Sequence, residues 1–394
     1  MADPRDILEV AVNGRRFTTW TQASVDCSIE QADRRGTLAI PRQPDDPRPA
    51  QFSCPIGSDV EVYARDETTG RRDLILTGSA EGFAPSYDSG SYGITIPLYS
   101  GTLSVVLSEA LVGPVLQGLT RLGIVRALCA PHGVEVVAGE GVTDSDPIAT
   151  FKVELGETAY AAIVRVTEPA AWLVTDDASG RLVLTRAGAD RAETALVLGE
   201  NILRLGGPGI DGTQRFSEYV CRGQRAGDDQ DYGAAVAEVY GAATDAWQTR
   251  RRRLSVDPDR QTWPAAAKAR AEWEAAQRAG RSVGFVVDVL GFRQSPGGPL
   301  WVPNLRVPLQ DDWSGLDAEL LITGCSYRSG GDGCRTSLTL APVVGYLPFI
   351  PPAAPPRPTR RKGGIFADVS AYMADLAGAA SKAAAAAAAA RRTP

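Results

Sequence analysis

The chain has 394 residues and a mass of 41.7 kDa, room for about two or three domains at roughly 100–200 residues each. Hydrophobic residues make up 44% and charged residues 22%, proportions of a globular protein rather than of a disordered or coiled-coil chain. The formal charge of −6 lacks the basic excess of a dedicated nucleic-acid binder, and a single histidine, His132, excludes multi-His metal sites and argues against a Ser-His-Asp triad.

The 41 Gly and 27 Pro imply many turns, hence many short strands. Residues 7–12 and 17–30 alternate apolar and polar positions as half-buried strands do, and Asn13-Gly14 between them is a type I′ hairpin signal. Further strands are predicted at 37–40, 59–63, 73–78 and 92–98, so residues 1–100 read as a small antiparallel barrel or sandwich. Residues 101–199 form an inserted α/β domain. It has helical spacing of Leu116, Leu119, Ile124 and Leu128 within 103–130, a helix at 157–168, and a hairpin of 172–175 with 181–185.

Strand-like patterning returns at 200–225. Residues 226–263 are polar and Gly/Ala/Asp-rich and read as a long excursion or mobile loop. A helix follows at 264–279, with Pro264 near its start and Gly280 in the place of a C-terminal cap. Strands resume at 283–290, 300–308, 319–324 and 336–341. A second β-barrel is thus assembled from 200–225 and 283–347, with 226–282 looped out. Residues 348–364 are a Pro-rich, then basic, linker. Residues 365–394 contain the alanine run 383–390 and are predicted to be a helical tail, with Phe366, Val369, Met373 and Leu376 on one stripe. The expected fold class is α+β, mainly β: two related antiparallel β-barrel domains, an inserted α/β region, a helical excursion and a C-terminal Ala-rich helix.

The two β units share a pattern. Asp73-Leu74-Ile75-Leu76-Thr77-Gly78 aligns with Glu319-Leu320-Leu321-Ile322-Thr323-Gly324, and Ile94–Leu98 aligns with Leu338–Pro342 further along. The spacing from Gly78 to Thr95 is 17 residues and from Gly324 to Thr339 is 15.

Candidate chemistry is sparse. The N-terminus lacks the basic and apolar regions of a secretory signal, and no stretch approaches the ~20 apolar residues of a membrane span. The six cysteines, Cys27, Cys54, Cys129, Cys221, Cys325 and Cys334, form no C-x-x-C pair. They read as isolated, mostly buried thiols of a chain made in a reducing cytosol, with a Cys325–Cys334 bridge as the alternative. The carboxylate pairs Asp176-Asp177, Asp228-Asp229 and Asp311-Asp312 lie in turn-forming contexts rather than facing each other across a cleft. His132 sits in a Pro-His-Gly turn. Leu205–Gly209 is Gly-rich but precedes no Lys-Ser/Thr helix, so it is not a phosphate loop. The run Arg250–Arg253 is surrounded by Asp228, Asp229, Asp231, Asp257 and Asp259 and reads as a solvated loop. Trp273 reads as a packing anchor of its helix. Trp301-Val302-Pro303-Asn304 reads as an edge strand or bulge, because Pro cannot donate to a ladder. No catalytic residue, metal ligand or cofactor site is expected.

The N-terminal pattern Val12-Asn13-Gly14, Trp20, Ser24-Val25 and Ser28-Ile29-Glu30 resembles the opening of Mu-like phage baseplate hub proteins. Arg270–Glu274, Arg278-Ala279-Gly280, Gly291-Phe292-Arg293-Gln294 and Gly298-Pro299-Leu300-Trp301-Val302-Pro303-Asn304 are similar to that family's C-terminal block. So are Leu320-Leu321-Ile322, Tyr327, Gly333 and Thr336–Leu340. The resemblance spans roughly residues 5–347, with 101–150 and 226–262 matching loosely and the linker and Ala-rich tail outside it. Trp20, Trp273, Gly291, Arg293, Gln294, Trp301, Pro303 and Asn304 are its structural motif residues. The resemblance implies a virion tail protein of a contractile-tailed phage or phage-like particle, made in the bacterial host cytoplasm and similar in fold to the T-even phage hub. It implies a homotrimeric ring of six barrels joining a sixfold tail tube to a threefold spike. The implied partners are a tail tube or distal tail protein and the central spike protein; the Ala-rich tail, a weak amphipathic helix on a flexible linker, suits docking to the spike or to the C-terminus of a tape-measure protein. DNA would be only cargo through the lumen. A tail-borne cell-wall hydrolase and a carbohydrate- or receptor-binding tail module are the competing readings.

Overall fold

The computed structural model describes residues 6–41, 54–88, 92–226, 238–258, 262–331, 333–349 and 352. The Ala-rich tail and most of the Pro-rich linker lie outside the described residues, as do Asp228, Asp229 and Asp231.

The N-terminal unit runs β1 (Asp6–Val12), β2 (Arg15–Phe17), β3 (Gln22–Ser28), β4 (Arg35–Pro41), β5 (Asp59–Asp66), β6 (Arg72–Ala80), β7 (Ala84–Tyr87) and β8 (Tyr92–Ser100). Val12 pairs with Arg15, and Asn13 and Gly14 take φ of 50° and 73°, the type I′ turn that these two residue types tolerate. The stretch 17–30 is two strands rather than one. β2 pairs with β1, and the chain then changes partners, so that β3 pairs with β4. The Trp20 ring packs on the core at this crossing and its Nε1 donates to the Phe17 carbonyl.

The inserted region holds α1 (Leu103–Leu107), β9 (Val115–Leu119), α2 (Arg121–Cys129), β10 (Val136–Ala138), β11 (Ile148–Lys152), α3 (Ala159–Thr167), β12 (Leu173–Asp176) and β13 (Leu182–Thr185). The helical spacing over 103–130 overreached: Leu116 and Leu119 lie on β9, paired with β11. Pro114 and Gly118, at φ 64°, break the helical run, and Thr120 restarts it by capping α2 through the Gly123 N–H. Thr158 caps α3 in the same way. β12 and β13 form the expected antiparallel hairpin. This region has its own core around Ile124, Leu128, Ile163, Trp172 and Leu184.

β14 (Asp190–Arg191), β15 (Leu196–Val197) and β16 (Ile202–Ile210) lead back to the main sheet. β17 (Glu218–Gly223) leaves it. It pairs with β18 (Val239–Thr244) and β19 (Arg253–Val256), both inside the stretch read as a loop, and α4 (Pro264–Arg281) covers them. β18 looks loop-like because the helix needs small residues beneath it: a Cβ at Gly241 would overlap the Lys268 backbone. Gly280 is inside α4 rather than its cap, and a Cβ there would lie 2.7 Å from the Gly345 Cα. The last strands are β20 (Val283–Leu290), β21 (Leu305–Asp311), β22 (Leu316–Gly330) and β23 (Gly333–Ala341).

Fifteen strands join in one sheet, in the order β16-β20-β23-β22-β3-β4-β8-β6-β5-β1-β2, with β7 on β8 and with β21, beside β22, also carrying β14 and β15. The two β units expected as separate barrels therefore share a sheet, through antiparallel pairing of β22 with β3, and among the described residues neither strand path closes on itself. They also share one core, from Leu8, Val10 and Leu38 to Val287, Trp301 and Leu340. The order β3-β4-β8-β6 recurs as β16-β20-β23-β22. Each copy has the same tight hairpin. The Asp66 carboxylate accepts from the Thr68 and Thr69 N–H groups and the Thr69 hydroxyl before Gly70, and Asp311 does the same with Trp313 and Ser314 before Gly315.

Candidate structural site: the clasp at 291–304

Six of the eight motif residues fall in one loop between β20 and β21. Trp301–Asn304 is a turn, not an edge strand, because Asn304 takes φ 74°. Gly291, at φ 73°, opens the loop, and its carbonyl accepts from the buried Thr336 hydroxyl at 2.7 Å. The Trp301 N–H donates to the Phe292 carbonyl, and the Trp301 carbonyl accepts from the Tyr327 hydroxyl. Phe292 meets the Tyr327 ring edge-on, with centroids 5.8 Å apart. Pro303 sits half-buried in the same turn.

The polar residues of the loop reach outward to three other segments. Arg293, with 3% of its side chain exposed, donates from Nε to Asp6 on β1 at 3.1 Å, meets Asp73 on β6 at 2.6 Å, and donates to the Gly298 carbonyl. The Phe292 N–H donates to the other Asp6 oxygen. Gln294 accepts from the Glu193 N–H at 2.7 Å and donates to the Leu300 carbonyl. Asn304 accepts from the Gly188 N–H and donates to the Arg186 carbonyl, each at 2.8 Å. The loop thus fastens the first β unit, the 186–193 connection and the second β unit together.

Burial opposes the charge on Arg293, but Asp73 and Asp6 outweigh it and raise the guanidinium above its ordinary value. Burial likewise pushes the Asp73 carboxyl up, and hydrogen bonds and charge from Arg293 and Arg71 outweigh it and hold it below the usual range. A cleft of about 430 Å³ borders the clasp, lined in part by Arg71, Asp73, Arg191 and Gln294. Three of its charged residues are paired within the protein, Arg71 with Asp73 at 2.9 Å and Arg191 with Glu319 at 2.8 Å.

Trp20 and Trp273 lie elsewhere. Trp273 anchors α4 to the chain after the sheet, donating from Nε1 to the Leu347 carbonyl at 2.8 Å beside Phe349. Among the carboxylate pairs, Asp176 ends β12 and forms a buried ion pair with Arg34 at 3.1 Å that ties the inserted region to the first β unit. Asp177 and Asp311 cap turns. Sequence reasoning missed Asp6, Asp73, Arg34 and Asp176 as tie points, because each partner is remote in the chain.

None of the six cysteines forms a disulfide, and five of them are buried. Cys27 and Cys325 stand opposite each other across β3 and β22, so they are less isolated than expected, and Cys334 faces Ser329 rather than Cys325. Among the described residues no group of three or more His, Cys, Asp or Glu is placed to hold a metal ion, and no helix is long and apolar enough to cross a membrane.

Residues 263–349, which contain the clasp, match the family described as Mu phage baseplate assembly protein GpP, fourth domain. Residues 113–186 match the second domain of baseplate hub protein gp44-like proteins. The chain is 31% identical over 379 residues to baseplate hub protein gp44 of Escherichia phage Mu, covering 92% of this chain and 94% of that one. Among solved structures it is similar to the 43 kDa tail protein of prophage MuSo2 from Shewanella oneidensis, with 25% identity, a TM-score of 0.72, and 86% and 99% of the two chains covered. The fold extends to the E. coli c3393 protein, described as a type VI secretion component similar to the T4 tail proteins gp27 and gp5. That likeness has 14% identity and a TM-score of 0.52, over 89% of this chain and 80% of that one. With its two β units held by a buried clasp, this chain belongs to the phage Mu baseplate hub family and is a phage tail baseplate protein.

Proposed function

We propose that the chain forms a homotrimeric hub ring that joins the sixfold tail tube of a contractile tail to the threefold central spike and leaves a channel for DNA. The observation that carries this reading is the repeated strand order, β3-β4-β8-β6 and β16-β20-β23-β22, inside one chain and one sheet. Three chains with two like units each present six similar units around a threefold axis, which is what a tube-to-spike adaptor needs. The work is mechanical, with no catalytic residue, cofactor or metal. The clasp supports it: a ring that bears load needs its two units fixed to each other, and Arg293 does that here through Asp6 and Asp73.

Above the ring the partner is the tail tube or a distal tail protein, and below it the spike protein. DNA is cargo rather than ligand, in keeping with the net charge of −6. The linker and Ala-rich tail at 348–394 give a tethered segment suited to docking on the spike or the tape-measure C-terminus.

Light scattering on the full-length chain tests the ring. A mass near three times 41.7 kDa is expected, rising further when the spike protein is added. The same chain ended at residue 349 should still trimerise but bind the spike less well. A strict monomer, with and without the spike, would overturn the ring.

A further inference from the structure

Two cysteines lie across the seam where the two β units meet within one chain. We infer that Cys27 and Cys325 are an oxidation site, converted by a hydroperoxide to a disulfide that ties β3 to β22 and locks the two units together. The inference concerns a single chain and does not rest on the ring.

The seam is narrow. Among the described residues the strand path passes from one β unit to the other at the pairing of β22 with β3, which runs from Gly324 opposite Ser28 to Ser329 opposite Ala23. Cys325 stands opposite Cys27 within it. Opposed antiparallel residues have Cα atoms about 4.5–5.5 Å apart and project their side chains to the same face. A disulfide spans Cα separations of about 4.4–6.8 Å, so no backbone rearrangement is needed to close one here. The shared face is the core common to both units, and both cysteines belong to it. The Cys27 thiol donates to the Cys325 carbonyl at 3.4 Å, so its sulfur already reaches across the seam.

The surroundings decide which sulfur reacts first. The hydrogen bond with Cys325 holds the Cys27 thiol below its ordinary value, burial opposes this, and the charge of the buried Arg34 assists it. Burial pushes the Cys325 thiol up. Since the thiolate is the nucleophile, Cys27 attacks. It takes one peroxide oxygen, the O–O bond breaks, and the other oxygen leaves as hydroxide and is protonated to water, which leaves a sulfenic acid on Cys27. The Cys325 sulfur then attacks the Cys27 sulfur. The S–S bond forms, the S–O bond breaks, and the hydroxyl leaves with the Cys325 proton as a second water. Two thiols and one peroxide thus give one disulfide and two waters. With the cysteines 5% and 2% exposed, the oxidant has to be small and enters through brief local opening of the ladder.

The other cysteines lack this arrangement. The Cys334 thiol donates to the Ser329 hydroxyl at 3.3 Å. Cys129 lies in the separate core of the inserted region, where burial pushes its thiol up to about 12. Cys27 and Cys325 are 298 residues apart, and a bridge that closes so long a loop constrains the unfolded chain strongly.

The test uses the full-length chain, reduced, freed of reductant and treated with hydrogen peroxide. After denaturation, alkylation and proteolysis without reductant, mass spectrometry should find the Cys27 and Cys325 peptides joined, with Cys129 alkylated. The thermal midpoint should rise by about 5 °C, and dithiothreitol should reverse both changes. Cys27→Ala and Cys325→Ala should each abolish the link and the rise, whereas Cys129→Ala should keep both. Cys27 and Cys325 left as thiols, with and without a sub-denaturing urea concentration that opens the ladder, would overturn the site. So would a Cys325–Cys334 link, or a Cys27 oxidised to sulfinic acid beside a Cys325 that still alkylates. Because the bond lies within one chain, it is read on the denatured chain whatever the oligomeric state, and its failure leaves the ring untouched.

Discussion

At the clasp, Arg293 and Asp6 each have 3% of the side chain exposed, and both were removed from water to meet each other. Breaking such a pair on one side leaves a buried charge alone, so Arg293→Ala is expected to cost about 3–5 kcal/mol by chemical denaturation. Arg293→Met, which fills the volume but strands the same two carboxylates, should not restore it. Asp73 gives the tie a pH dependence. Its carboxyl is held below its unfolded value, so its contribution is fully present above the unfolded pKa and is lost as pH falls through the lower folded pKa. Asp73→Asn should therefore be less stable than the parent at neutral pH, and the two denaturation midpoints should converge at strongly acid pH. Arg293 itself stays charged throughout, since its raised value lies far above this range.

The repeat makes a prediction about two matched glycines at the level of the strands. Gly78 on β6 lies where β8 crosses closely, and a Cβ there would overlap the Tyr99 carbonyl. Gly324 on β22 has more room, its nearest neighbour being the Cys27 carbonyl at 3.3 Å. Gly78→Ala should destabilise by about 1–3 kcal/mol, whereas Gly324→Ala should cost less, both read by thermal unfolding. Equal losses would mean that the two strands sit in equivalent surroundings despite this difference in clearance. The hairpin turns themselves were legible only in part. Asn13-Gly14 announces its turn by a dipeptide that tolerates positive φ, while the twin turns after Asp66 and Asp311 depend on side-chain acceptors that many surface aspartates could supply. β18 was illegible for the opposite reason: its small residues serve the helix above it, and small residues carry little strand signal.

For the molecule as a whole, the shared core decides the behaviour. Leu8 and Val10, in the first strand, belong to the same cluster as Leu338 and Leu340, in the last. The two β units should therefore unfold together rather than in sequence, giving a single calorimetric transition for that core. The inserted region, with a separate core around Ile124 and Trp172, is the part able to melt on its own. Two well-separated transitions reported by probes in β4 and β20 would contradict the shared core. The same unity suits the proposed ring, in which force entering one unit would pass to the other through the β22–β3 ladder and the clasp.

Local pattern was enough to show a mainly β protein, the 13–14 turn, the 172–185 hairpin, and the covering helix with Pro264 at its first turn. These signals are short-range: alternation, caps and turn dipeptides act within a few residues. The Gly291–Asn304 block also stood out as a motif, though its role did not. Arg293 sits 287 residues from Asp6 along the chain, and no local rule couples positions that far apart. Tertiary structure alone decided that the two β units share one sheet and one core, that β17 joins the excursion, and that Cys27 faces Cys325. It also decided which edges stay open. An edge is defined by the absence of a neighbour, and that depends on how every other strand has already been placed.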